Sequence, residues 1–335
     1  MSRLPIPGIK VFIDNDGLSA LQVLLPLKLG WEVVGISASF GSSSANVSSC
    51  IPHYLGAQQP LLRKQETFDY WQDMFGSLVW KGAFAPAYED SYSWSNITYD
   101  DSVAGAVAMV EAVKANRDTD PLYLWAAGMM TTVAQALSLY PGLVNDSAGL
   151  YIMGGYFDTQ YAAALGTPID PEAAQIVLTA DWKTLVIGAN VTNYLVPSQE
   201  LYDRLIARAG SLDVIEDDLY FALVLSLLGS GNYTENSSEE ALPFWDEVVS
   251  AFMVWPDLIE RTSEFSMTVD TLFYSPFYGN LRIWDHDYAP MVVKTGSVTI
   301  VNKIDDARFY DLLIDTYFED WRQYCATGKS QVLKY

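Results

Sequence analysis

Cysteine and histidine are scarce in this chain of 335 residues, with two of each: Cys50 and Cys325, His53 and His286. Two cysteines cannot build a disulfide framework or a zinc cluster, and they leave at most one bridge, which the sequence does not establish. Two histidines make Ser-His-Asp chemistry unattractive. His286 stands in Trp284-Asp285-His286-Asp287, which reads either as a site or as a solvated loop. Basic residues are short as well: 19 Lys and Arg against 41 Asp and Glu give a net charge of −22. A field of that sign repels phosphate backbones and anionic lipid, and no Lys/Arg run offsets it. Nucleic acid and membrane are therefore excluded as partners, and a neutral or cationic small molecule suits the surface as substrate. No apolar run is long enough to span a bilayer, and residues 1–8 lack the charged and apolar regions of a signal peptide.

What is abundant is apolar and aromatic. Half of the residues are hydrophobic and 13% are aromatic, with ten Trp and 21 Tyr, enough for a large core with some rings left for clefts. Six N-x-S/T sequons occur, at Asn46, Asn96, Asn145, Asn190, Asn232 and Asn236. Eleven Asn would give roughly one or two by chance. The expectation is a glycoprotein of the secretory route, its signal lying outside this sequence.

Residues 10–14 read as a buried strand running into the acidic turn Asp14-Asn15-Asp16-Gly17, residues 18–29 as an apolar helix, and residues 32–37 as a second strand. This is a βαβ unit, which implies parallel pairing and a right-handed crossover. The pattern returns with strands at 121–127, 149–153 and 184–188 and a helix at 131–139. Asp170-Pro171-Glu172 has the N-cap, first-position proline and acidic first turn of a helix start. Helices are expected at 198–209, 215–228, 240–254 and 306–322, strands around 266–272 and 291–301, and a surface loop at 229–239. No repeat or linker divides the chain, so one α/β domain over 1–335 is expected, with a mostly parallel central sheet and helices on both faces. In such sheets ligands bind beyond the carboxyl ends of the strands, where Asp14, Asp16, Gly128 and Gly154 fall.

Asp14 and Asp16 stand at i and i+2 just past a buried strand, with Gly17 permitting a sharp turn. Such a pair can hold a hard cation through oxygen or poise one carboxylate as a general base. The competing reading makes Asp14 a cap for backbone amides and Asp16 a turn residue. Asp246 is a second candidate, at a helix start, where an acid also suits the helix dipole. Trp245 beside it could stack on a flat ring.

The chain resembles the inosine–uridine nucleoside hydrolase family. Ile13-Asp14-Asn15-Asp16-Gly17 is similar to the family's N-terminal aspartate motif in the D-x-D-G form of the purine-specific branch. Ala126-Ala127-Gly128-Met129-Met130-Thr131-Thr132 resembles its A-x-G-P-L-T-N segment, Ile152-Met153-Gly154-Gly155 its M-G-G, and Asp170-Pro171-Glu172-Ala173-Ala174 its D-P-E-A-A. Trp245-Asp246 with Trp255-Pro256-Asp257-Leu258 looks like its W-D…D-P-E-L stretch, and Asp305-Asp306-Ala307-Arg308-Phe309 like its closing V-D-x-x-R-F helix. The resemblance implies a Ca²⁺ ion holding the ribose hydroxyls and the attacking water, and cleavage of the C1′–N bond through an oxocarbenium-like state. It assigns Asp14, Asp16, Asp246 and the carbonyl of Met130 to the ion, Asp16 to general-base catalysis, and Asn15, Thr132 and Trp245 to the substrate. It also implies dimers or tetramers, and a homodimer is carried as an expectation.

The departures are specific. The family follows its first motif with two further aspartates, but Leu18-Ser19-Ala20-Leu21 stands here and no acid occurs between Asp16 and Glu32. The family's Asn after P-L-T is Thr132. The ribose-binding E-F-N falls at residues 164–169, which contain neither Glu nor Asn, and the region at 44–46 is short. Ca²⁺ takes six to eight oxygens. Three carboxylates, a carbonyl and water predict binding weaker than micromolar. Three functions are consistent with this: an N-ribosyl hydrolase acting on a purine nucleoside with a degenerate site, a repurposed cyclase or isomerase acting on an apolar metabolite, and a non-catalytic binding glycoprotein.

Overall fold

The computed structural model describes residues 9–16, 20–39, 51–75, 100–120, 122–155, 170–196, 198–210 and 243–318. Its centre is a sheet whose described strands are β1 (Lys10–Asn15), β2 (Glu32–Ala38), β3 (His53–Leu55), β4 (Asp100–Ala104), β5 (Leu122–Ala126), β6 (Gly149–Ile152), β7 (Leu185–Ile187), β8 (Ile259–Val269), β9 (Leu281–Trp284) and β10 (Gly296–Ile304). They lie in the order β4-β3-β2-β1-β5-β6-β7-β10-β8-β9. Every pair from β4 to β10 is parallel, and β8 and β9 add an antiparallel edge.

The described helices are α1 (Ala20–Lys28), α2 (Gln65–Phe75), α3 (Gly105–Asn116), α4 (Thr131–Leu139), α5 (Leu143–Asp146), α6 (Pro171–Leu178), α7 (Gln199–Gly210), α8 (Trp245–Val254) and α9 (Asp306–Tyr317). They cover both faces. Strand alternation sends Val11 and Ile13 of β1 into a core with α1, α7, α8 and α9. Phe12 goes the other way, into a core with α3, α4 and α6. This is the α/β architecture with a mostly parallel sheet that the alternation of strand and helix predicts. Asp170 caps α6 as its sequence predicts, accepting from the Ala173 N–H at 3.1 Å, with Pro171 at the first position. No described helix is long and apolar enough to cross a membrane.

Differences from the sequence reading fall in both halves of the sheet: β4, α2 and α3 were not expected, and the antiparallel strands begin elsewhere than expected. Strand β8 begins at Ile259 rather than near 266, because Glu260, Arg261 and Thr262 face solvent and carry no apolar signal. Strand β10 begins at Gly296 rather than near 291, since Met291 and Val292 are exposed. Helix α3 is buried almost all round, so it lacks the one-sided stripe by which a helix is read. The helix expected from 240 starts at Trp245, just after Pro243. The expected helix at 215–228, the loop at 229–239, both cysteines, the 44–46 region, the stretch at 164–169, and Asn46, Asn96, Asn232 and Asn236 lie outside the described residues.

Candidate active site

The acidic turn sits at the carboxyl end of β1, flanked by β2 and β5. Parallel register sets Asp14 beside Ser37 and Ala126, and Asn15 beside Ala38. The same alternation that divides the core divides this motif. Asp14 follows Phe12 to the α4 face, Asn15 follows Ile13 to the α1 and α8 face, and Asp16 stands at the rim between them.

On the first face Asp14 is fully buried. Its Oδ1 accepts from the Ser37 hydroxyl at 2.5 Å and the Ser39 hydroxyl at 3.2 Å, while its Oδ2 is buried without a hydrogen-bond partner among the described residues. Thr132, also buried, lies 3.4 Å from the Ser39 hydroxyl and accepts the Ala57 N–H at 3.0 Å. Burial pushes the Asp14 carboxyl up to about 6, against the opposing pull of the Ser37, Thr132 and Ser39 hydroxyls.

On the second face Asn15 and Gln22, both buried, form a closed amide ring with Asp246. The Asn15 amide donates to Gln22 Oε1 at 2.6 Å and to Asp246 Oδ2 at 3.1 Å, and the Gln22 amide donates to the same Asp246 oxygen at 2.6 Å. Both hydrogens of the Asn15 amide are thereby committed. Asp246 lies in the first turn of α8. Its carboxyl is held well above the usual range by burial, then by the charges of Glu247 and Asp16, with the Asn15 and Gln22 amides opposing.

Asp16 couples the two faces. The residue is half-buried, yet loss of solvent around its carboxyl is the largest cause raising it to about 7, followed by the Asp14 charge. Gly128, in the turn after β5, packs against it. A Cβ there would lie 3.0 Å from the Asp16 nitrogen and 3.2 Å from its Cβ, so a side chain at this position would crowd Asp16 and require a small shift. The loop from Gly128 to Thr132 is fixed from beyond by Asp170, fully buried, which accepts the Thr131 hydroxyl at 2.6 Å and the Leu61 N–H at 2.8 Å. The Met130 carbonyl accepts the Ala134 N–H at 2.9 Å, the first bond of α4. Trp245 is half-buried, its indole N–H donating to Asn193 at 2.9 Å.

All seven residues singled out in the sequence therefore lie around the ends of β1 and β5 or at the start of α8. His286 does not join them. Its Nδ1 sits 2.9 Å from the Ser266 hydroxyl on the antiparallel edge. Sequence reasoning missed Ser37, Ser39 and Gln22, and read Asp170 as a helix cap without its hold on Thr131 and Leu61. Ser37 comes to the site through the β1–β2 register and Gln22 through the packing of α1 on α8, neither of which local composition displays.

The profile of the inosine-uridine preferring nucleoside hydrolase family matches residues 11–311. The chain is 37% identical to an uncharacterised protein of Schizosaccharomyces pombe over 95% of its own length and 88% of that protein's. It is 25% identical to the pyrimidine-specific ribonucleoside hydrolase RihB of Escherichia coli, over 68% of this chain and 67% of that one. In structure it is similar to an inosine-guanosine nucleoside hydrolase, with a TM-score of 0.68 and 20% identity, covering 92% of this chain and 98% of the other. Family and fold together favour N-ribosidic bond hydrolysis as the chemistry, and the chain belongs to the inosine-uridine preferring nucleoside hydrolase family.

Proposed function

We propose that this chain hydrolyses the N-glycosidic bond of a purine nucleoside, with Asp16 taking the proton of the attacking water. One observation carries the reading. Asp16 stands at the mouth of the sheet between two other acids, with its carboxyl raised to about 7, where it can accept and return a proton near neutrality. Water oxygen bonds to C1′, its proton goes to Asp16, and the C1′–N bond breaks with its electron pair leaving on the base. Trp245, tethered to Asn193, supplies the flat apolar surface for that base. Thr132 and Asn15 act one layer back. The first belongs to the hydroxyl cage of Asp14, the second to the amide ring of Asp246.

Calcium, the ion the family resemblance implies, does not fit these residues well. Asp14 and Asp246 approach from opposite faces of β1, and each already has one oxygen holding two donors, so that Asp14 offers an ion only its second oxygen, unpartnered among the described residues. The Met130 carbonyl is engaged by α4. Among the described residues no three His, Cys, Asp or Glu side chains are grouped closely enough to hold a metal. No step is therefore routed through an ion.

Release of free base from inosine, adenosine and guanosine, followed by chromatography with and without added calcium, tests the proposal. Turnover that disappears in Asp16→Asn is expected. No release from any nucleoside would contradict it, and nucleoside-induced thermal stabilisation without turnover would favour a binding protein.

A further inference from the structure

Helix α1 carries a feature that the hydrolytic reading does not use. Pro26 lies inside it, and proline has no N–H to offer the carbonyl four residues earlier. That carbonyl belongs to Gln22. The Ser250 hydroxyl of α8 takes its place, donating to the Gln22 oxygen at 3.2 Å. Ser250 is four residues beyond Asp246, on the same face of α8. Gln22 is thus gripped twice by one helix, through its backbone at Ser250 and through its side-chain amide at Asp246. It is buried, and its remaining side-chain atom, Oε1, accepts from Asn15. No polar atom of the side chain is left idle, and the whole arrangement is neutral except for Asp246.

A carboxylate taken out of water must be compensated by a cation or by hydrogen-bond donors. Here the donors are two amides on one oxygen, and α1 contributes no acid with which a cation could be shared. We propose that the acid site of this chain is organised without a divalent cation, Gln22 being the positioning residue whose amide holds Asp246 in the place of a metal ion. With the amides committed to one another and to Asp246, its ligand is then recognised by the carboxylates, which suits neutral hydroxyl donors such as a sugar. The hydroxyls of a metal-bound ribose would be held differently, through ion–oxygen contacts that need no donor.

The test is a calcium titration of the full chain by calorimetry, together with thermal melts in millimolar CaCl2 and in EDTA. The wild type is expected to give no stoichiometric heat and the same melting temperature in both. Gln22→Glu removes the amide donor and adds a fourth carboxylate. It is expected to melt lower in EDTA and to recover several degrees in CaCl2, acquiring the calcium response that the wild type lacks. Gln22→Met, which keeps the length without a donor or charge, is expected to melt lower than wild type in both buffers. Stoichiometric calcium binding by the wild type with a micromolar or tighter constant overturns the proposal, as does a wild-type melting temperature that rises in CaCl2. If Gln22→Glu does not fold, the wild-type titration and Gln22→Met decide alone. A Gln22→Met variant as stable as wild type would also contradict the role given to the amide. Neither readout uses turnover. A silent calcium titration with no base release speaks against hydrolysis and leaves the amide arrangement standing. Calcium binding with base release does the reverse.

Discussion

Two acids on opposite faces of one strand are held in different ways. Asp14 lies in a cage of hydroxyls from β2 and α4, whereas Asp246 lies in a ring of amides from β1 and α1. A hydroxyl can turn to donate or accept, so the Asp14 cage serves either protonation state. An amide nitrogen only donates, so the ring around Asp246 favours the carboxylate. Both acids are raised by loss of solvent, yet the donors differ in what they permit. The first face tolerates a proton that comes and goes, and the second fixes geometry. Asp16, between them, feels the charge of Asp14 and imposes its own on Asp246. The site is therefore asymmetric, with a protonatable side, a rigid side and a reactive carboxyl at the boundary.

The largest expected effect breaks the boundary itself. Asp16→Asn should lower base release by about 10²-fold or more, the usual contribution of a positioned general base. It should leave the melting temperature near that of wild type, because the residue is half-buried and its carboxyl is strained by Asp14 rather than stabilised. A comparable loss in both turnover and stability would place Asp16 in the structure instead of the chemistry.

Stability against pH sharpens the contrast between the faces. The Asp14 value rises from 3.8 unfolded to about 6 folded, so between those values the native state holds a proton that the unfolded chain has lost. Stability therefore falls as pH rises through that window and stays low above about 6, by up to about 3 kcal/mol at 1.36 kcal/mol per unit. Denaturant melts from pH 4 to pH 7 should show the slope, and Asp14→Asn should reduce it. A stability that rises across the window would mean that a cation or an unseen donor compensates Asp14.

Gly128→Ala tests how closely the two loops must meet. The added methyl would lie 3.0 Å from the Asp16 backbone nitrogen, which has little freedom to retreat. A cost of about 1–3 kcal/mol in chemical denaturation is expected, with activity falling further than stability because Asp16 is displaced. Asn145 provides the smallest effect and a control outside the acid site. It is exposed in α5, and its sequon predicts a glycan on material from a eukaryotic host. Asn145→Gln should remove one glycan by mass spectrometry and change stability by less than about 0.5 kcal/mol. An unmodified wild-type chain would argue against the secretory route.

In the parallel half β1, β2, β5, β6 and β7 were legible because each is a short apolar run, whereas β4, which reads Asp100-Asp101-Ser102-Val103-Ala104, and the helices α2 and α3 were not. At the antiparallel edge β8 and β10 were read with displaced bounds and β9 was not read, since β8 buries only four of its eleven residues and β9 is only partly covered. The site divides in the same manner. Asp14, Asp16 and Asp246 announce themselves as acids beside apolar segments, and Trp245 as an aromatic beside one of them. Ser37, Ser39 and Gln22 do not, because serine and glutamine are ordinary in any sequence. Their roles arise only when parallel register sets Ser37 beside Asp14 and when Pro26 frees the carbonyl that Ser250 takes. Register and a missing N–H are consequences of folding that local composition does not display.

The most direct measurement is the pH–rate profile of base release from a purine nucleoside by wild type and by Asp16→Asn. The account predicts a wild-type rate that climbs with an apparent midpoint near 7, as the Asp16 carboxyl loses its proton, and a variant that is nearly inactive at every pH. A variant that retains the wild-type rate, or a wild-type profile flat across neutrality, would contradict it.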